Sequence, residues 1–191
     1  MADVVVGLDP GFKGAFAVLD MSGEPLGAQE WPTIVVPKSG GKEQNAYNLQ
    51  AVRAALEELT ATDKRVHFAL EKQHVMKDQG SVSGFKTGYG YAMLEMALVM
   101  LYASYEVVGS GEWQGEMFRG MEKPPPRIAK KGKHAGEPVK TKASETLGPL
   151  VCQRLWPKFN LLATERSRKP HSGICDALLI AEATRRKLLG K

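Results

Sequence analysis

Three acids stand where a lone carboxylate is hard to explain. In VVVGLDPGFKGAFAVLD, the apolar run Val4–Leu8 delivers Asp9 at the point where a strand would end. Pro10-Gly11 then turns the chain, and a second apolar run, Gly14 to Leu19, follows at once. That is the pattern of a β-hairpin with a carboxylate at its mouth. Glu71 ends the run Val66 to Leu70, and Asp176 sits at the front of a helical segment, ICDALLIAEA. Taken singly, each could be a turn or cap residue. Together, at the ends of apolar elements, they point to a metal ion or a phosphate–metal complex. Hydrolysis of a phosphodiester by two metals needs several carboxylates converging on ions about 3.5–4 Å apart. One ion activates water and the other stabilises the leaving 3′ oxygen. Mg²⁺, for which Mn²⁺ can substitute, takes oxygen ligands and keeps waters, so a few carboxylates suffice.

The elements that must position these acids follow from hydrophobic pattern and turn signals. Strands are predicted at Val4–Leu8, Ala15–Asp20 and about Pro25–Trp31, followed by a polar loop from Pro32 to Gln44 that contains Gly40-Gly41. Leu49, Val52, Leu56 and Leu59 recur at spacings of three and four, which marks an amphipathic helix. Val66–Glu71 is apolar on both faces, as a central strand is. A long helix is expected over Ser83–Tyr102, although Gly84, Gly88 and Gly90 each cost roughly 1 kcal/mol against Ala. Small residues there imply close approach of another helix or of a nucleic-acid backbone. Tyr105–Gly109 reads as a fifth strand, with a short helix starting near Gly111. Lys123–Val139, with three consecutive prolines, reads as a loop, and helices are expected at Lys142–Leu155 and Ile174–Leu188. The order β-β-β-α-β-α-β-α-α is that of an α/β, RNase H-like fold, a central five-stranded mixed sheet flanked by helices.

Composition narrows the class. A chain of 191 residues suggests one domain with a proper core. The sequence holds no run of 18 apolar residues, so no membrane span is expected. The N-terminus lacks the features of a signal peptide. Cys152 and Cys175 have neither CxxC spacing nor the numbers for a disulfide framework, so both are expected as reduced core residues in a cytoplasmic setting. Net charge is +5, unevenly placed: Arg119 to Lys142 holds eight Lys or Arg against Glu122 and Glu137. Arg166, Arg168 and Lys169 form a second basic run before His171. Such runs are either solvated loop surface or a phosphate-binding surface around an acidic centre.

Four blocks carry a resemblance: GLDPGFKGA, LEKQHVMKDQGSVSGFKTGYGYAMLE, YEVVGSGEWQ and HSGICDALLIAEA. The chain resembles RuvC-type Holliday junction resolvases, in the phage and bacterial branch that is also similar to the plant chloroplast junction resolvase. Gln79-Gly80, Phe85 and Tyr91 beside Glu71 make the second block the most specific. The resemblance implies a homodimeric, Mg²⁺-dependent endonuclease that nicks two strands of branched, four-way DNA symmetrically. Asp9, Glu71 and Asp176 are then the catalytic, metal-holding acids. A fourth ligand is expected near the last Asp, where His171 lies five residues earlier. His171 is either that ligand or a phosphate or water contact at a helix N-terminus, and Ser172 reads as the helix cap.

By the same resemblance, the position three beyond the catalytic Glu stacks at the junction centre, and here it is His74. Lys142 opens the helix after the basic loop as a phosphate-binding lysine does, with Lys140 an equal candidate. Lys130, Lys131 and Lys133 of the loop are expected on the DNA backbone. Phe85 is expected in the core, Trp113 in packing, and the apolar helix Met93–Leu101 at the dimer contact.

Two function classes remain open: a junction resolvase, and an RNase H-like nuclease acting on flaps, branched DNA or RNA–DNA hybrids without strict junction preference. An actin-like or sugar-kinase ATPase also opens with a strand-Asp-x-Gly hairpin. That fold needs two such lobes and a second phosphate loop, which this sequence does not show.

Overall fold

The computed structural model describes residues 2–38, 40–74, 80–129 and 135–191. Five strands form the main sheet: β1 (Val4–Leu8), β2 (Ala15–Asp20), β3 (Pro25–Glu30), β6 (Val66–Lys72) and β7 (Ser104–Gly109). Their order is β3-β2-β1-β6-β7. The first three run antiparallel and the last two join β1 in parallel, which makes the sheet mixed. Every residue of β1 is buried, because its two faces are covered by different helices. Val5 of β1 joins Ala17 and Leu19 of β2 and Ala69 of β6 against α5 (Ser172–Leu188). Val6 and Leu8 face the opposite way, with Phe16, Phe68 and Leu70, beneath α1 (Leu49–Thr60) and α2 (Ser81–Met100). This period-two division into two cores is what a strand imposes when both faces are covered. Each fully buried Leu in them contributes about 1.5–3 kcal/mol.

α3 (Ser110–Met117) and α4 (Ala143–Leu155) complete the α5 layer. Cys152 and Cys175 lie buried there as free thiols, as expected. The fold is the RNase H-like arrangement anticipated from the order of elements.

One region departs from expectation. Pro32–Gln44, read as a loop, is mostly a hairpin: β4 (Thr33–Lys38) pairs antiparallel with β5 (Lys42–Tyr47), Thr33 opposite Tyr47 and Lys38 opposite Lys42. Gly40 and Gly41 both have positive φ, the backbone that such tight turns require. The hairpin is largely exposed on both faces, so no apolar alternation marks it in the sequence. The basic loop also contains a short antiparallel contact, β8 (Arg127–Ile128) with β9 (Pro138–Val139). Lys130, Lys131 and Lys133 lie outside the described residues.

Candidate active site

Register brings the first two acids together. β1 and β6 pair with Leu8 opposite Leu70, so Asp9 and Glu71 leave adjacent strands side by side at the same sheet edge. Asp176, in the first turns of α5, arrives over that edge. α5 can come so close because position 173 is glycine: a Cβ there would lie 2.1 Å from the Lys13 carbonyl oxygen. The three carboxylates line one cavity of about 560 Å³, with Lys13, Lys72, His74, Thr87, Lys142 and Ser144 on its wall.

The acids repel one another and lack solvent. Burial, then the nearby Glu71 charge, pushes Asp9 up to about 7. Burial, then Asp9 and Glu71, pushes Asp176 up to about 8. Glu71 is raised by burial, against hydrogen bonds that favour its charged form. Those bonds come from Trp113 Nε1 to Oε1 (2.9 Å) and from Gln73 Nε2 to Oε2 (2.9 Å). Trp113 therefore packs, as expected, and also orients a site carboxylate. Nothing in the sequence signals that second role, since the two residues are 42 apart. Ser144 lies beside the Asp176 carboxyl and favours its charged form, yet Asp176 Oδ1 is buried with no hydrogen-bond partner.

That orphaned oxygen is the test of fit for a metal. An acceptor oxygen in a pocket of three under-neutralised carboxylates suits a hard divalent cation. Among the described residues, no three His, Cys, Asp or Glu side chains gather closely enough to form a closed cage. The donor set thus fits an ion that keeps part of its water shell and is held by one or two carboxylates, as Mg²⁺ is.

The other sequence candidates fall in different places. His74 is exposed and lines the cavity beside Glu71. Lys142 also lines it and lowers both Asp9 and Glu71, whereas Lys140 is exposed and off its wall. His171, rather than Ser172, caps α5: its Nδ1 accepts from the Ile174 N–H at 3.3 Å. The proton is then on Nε2, which faces Glu30 Oε2 at 3.4 Å. Both ring nitrogens are engaged, and the cavity wall includes Ser172 but not His171.

The glycines of α2 are partly explained. A Cβ on Gly90 would sit 2.6 Å from both the Pro10 carbonyl oxygen and the Tyr47 hydroxyl, so the close approach is to the turn that carries Asp9. Phe85 departs from expectation: it is 74% exposed rather than core. It sits one residue past buried Gly84 on the helix, which turns its side chain away from the sheet.

Two solved structures are similar to this chain, and the first carries the comparison of fold. T. thermophilus RuvC in complex with Holliday junction substrate matches over 98% of this chain and 96% of its own, with 16% sequence identity and a TM-score of 0.52. A Thermus thermophilus RuvC structure matches over the same shares and at the same identity, with a TM-score of 0.47. No family model matches the sequence, and no curated protein does. At this identity the likeness establishes the fold: the chain is built as RuvC is built.

Proposed function

We propose that this chain is a divalent-metal-dependent nuclease that resolves four-way DNA junctions by paired symmetric nicks. The observation that carries the reading is the trio Asp9, Glu71 and Asp176 at one edge of an RNase H-like sheet, with a buried, unpartnered Asp176 oxygen. Bound Mg²⁺ would supply water activation and charge neutralisation at the scissile phosphate. Its one or two direct carboxylate ligands would come from Asp9, Glu71 and Asp176. Trp113 and Gln73 fix the Glu71 carboxylate, and Ser144 lies beside that of Asp176. Lys13, Lys72 and Lys142 on the wall draw the phosphate backbone toward the acids. His74 stands at the mouth, where a base beside the crossover would stack on it. Lys130, Lys131, Lys133 and Lys140 would add further contacts to the DNA backbone. None of the described helices is long and apolar enough to cross a membrane.

Paired nicks need two active sites in fixed relation, so the working unit is a homodimer. Leu94 and Leu98 of α2 are buried against the sheet, while Met96, Val99 and Met100 point outward and exposed. That outer face is the proposed seam between protomers.

The test is cleavage of a synthetic four-way junction beside a linear duplex, a flap and an RNA–DNA hybrid, with and without Mg²⁺. The expected result is two symmetric nicks in the junction alone, only with metal. Equal cutting of flap or hybrid would replace junction selectivity with general branched-substrate hydrolysis. No cutting of any substrate would remove the nuclease reading.

A further inference from the structure

A column of aromatic rings starts beside the carboxylates and ends in solvent. Phe12, three residues past Asp9, stacks on Tyr47 with ring centroids 4.4 Å apart and planes 19° apart. Tyr47 packs against Tyr89 at 6.3 Å, and Tyr89 lies nearly parallel to Phe85, also at 6.3 Å with planes 16° apart. The inner end is rigid, because the Tyr47 hydroxyl donates to the Pro10 carbonyl oxygen at 2.9 Å. The outer end is open: Tyr89 is 42% and Phe85 is 74% exposed. Lys86 Nζ stands 5.5 Å over the Phe12 ring.

Burial does not account for the outer pair. A Phe left mostly in water gains little from the core, and its apolar face carries a cost that an aliphatic seam does not explain. The two halves of the outward α2 surface also differ in chemistry. Met96, Val99 and Met100 are flexible or aliphatic, whereas Phe85 and Tyr89 are flat rings continuous with the turn that holds Asp9. Thr87, between them in sequence, lines the carboxylate cavity itself. Cations stand close by: Lys86 on the column, and Lys13 and Lys142 on the cavity wall. Flat exposed rings next to lysines that attract phosphates are the makings of a site for an unpaired nucleobase.

We infer that Phe85 and Tyr89 form a base-stacking subsite that takes a nucleotide unpaired near the scissile phosphate, with Tyr47 and Phe12 as its fixed backing. This rests on the nuclease reading and adds a second stacking point to His74. Every base offers a π-face, so the subsite recognises openness of the strand rather than sequence. It would favour substrates whose bases are already unstacked, such as a junction centre.

The experiment uses the full chain and four-way junctions with 5-iodouracil placed in turn at each nucleotide flanking the crossover, with metal chelated so that DNA is bound but not cut. Irradiation couples iodouracil to the aromatic ring on which it stacks. The expected result is a crosslink mapping to Phe85 or Tyr89, absent in the Phe85→Ala/Tyr89→Ala double variant and retained in Phe85→Trp/Tyr89→Phe. The alanine pair should also bind the junction about tenfold more weakly while keeping its melting temperature and sedimenting mass. Crosslinks that map elsewhere, with junction binding intact, overturn the subsite and leave the nuclease reading standing. A double alanine variant that falls from dimer to monomer also overturns it, since the rings would then cover a second copy. A parent chain that binds no branched DNA overturns the nuclease reading and this inference with it.

Discussion

Helix α5 carries two acids six residues apart, one buried and one half-buried, and the molecule treats them in opposite ways. Glu182 is 3% exposed and surrounded by guanidinium: Arg185 donates to both its oxygens at 2.7 and 2.9 Å, and Arg186 donates at 2.7 Å. Arg185 also reaches the Met21 carbonyl oxygen, tying the helix to the β2–β3 turn. Asp176 faces two further carboxylates, with one oxygen unpartnered. The first acid is neutralised by the chain itself, and its role ends with holding the helix in place. Among the described residues no cation is bonded to the second, and the proposed metal would supply that charge. A buried acid becomes a functional candidate through the absence of a partner, not through burial.

Breaking each acid should therefore do opposite things. Asp176→Asn, or Asp9→Asn, is expected to bring junction cutting below a few per cent of the parent rate while junction binding survives, because lost negative charge does not weaken phosphate contacts. Without metal, these variants should also be more stable than the parent at pH 8. Glu182→Gln should instead cost about 3 kcal/mol of stability, since it strands two guanidinium groups, with the rate per folded molecule retained. Urea denaturation alongside single-turnover cutting separates the two cases. A Glu182→Gln protein of normal stability would abolish the contrast.

The pH dependence sharpens the same contrast. Asp9 and Asp176 have folded-state values near 7 and 8, against about 4 in an unfolded chain. The folded state therefore binds these protons more tightly. No penalty exists below about pH 4. It grows as pH rises and is complete above about 8, amounting to a few kcal/mol. In chelator, stability should fall between pH 5 and pH 8. Mg²⁺ should restore it at pH 8, and Asp9→Asn should flatten the slope. A flat profile in the parent would show that the acids are not under strain from one another.

Smaller effects test the groups around the acids. Trp113→Phe keeps a ring in the core but removes the hydrogen bond to Glu71. Cutting should drop about tenfold, with the Mg²⁺ concentration for half-maximal rate rising. An unchanged metal requirement would reduce Trp113 to packing. Lys142→Gln should weaken junction binding a few-fold and lower the salt slope by about one. Lys140→Gln, which is off the cavity wall, should have less effect. Equal losses would show that the wall does not define the phosphate path.

How far the sequence reveals all this depends on how the information is stored. Asp9 and Glu71 were legible because apolar runs end on them, and Asp176 because it stands at the front of an apolar helix. The Pro32–Gln44 hairpin was not, because it is exposed on both faces and nothing selects an alternating pattern. TIVV at its start is rich in β-branched residues, a signal outweighed by the adjacent Gly-Gly. Phe85 reads as core by residue type alone, and only the helix phase relative to Gly84 shows it facing out. The His171 cap and the Trp113 bond to Glu71 depend on contacts between separate segments, which periodicity does not encode. The partnering of Glu182 was closer to legible, since Arg185 and Arg186 follow it at helical spacings of three and four.

The approach of α5, at Gly173, to the turn that follows Asp9 has one more consequence. Main-chain atoms make this contact on one side, and the missing side chain makes it on the other. The gap between Asp176 and Asp9 is therefore gauged by backbone thickness rather than by a fitted pair of side chains. A site spaced in this way is most sensitive where backbone meets backbone, at Gly173 against Lys13 and at Gly7 against Ala177, where a single added methyl group would prise the helix and its acid away from the sheet.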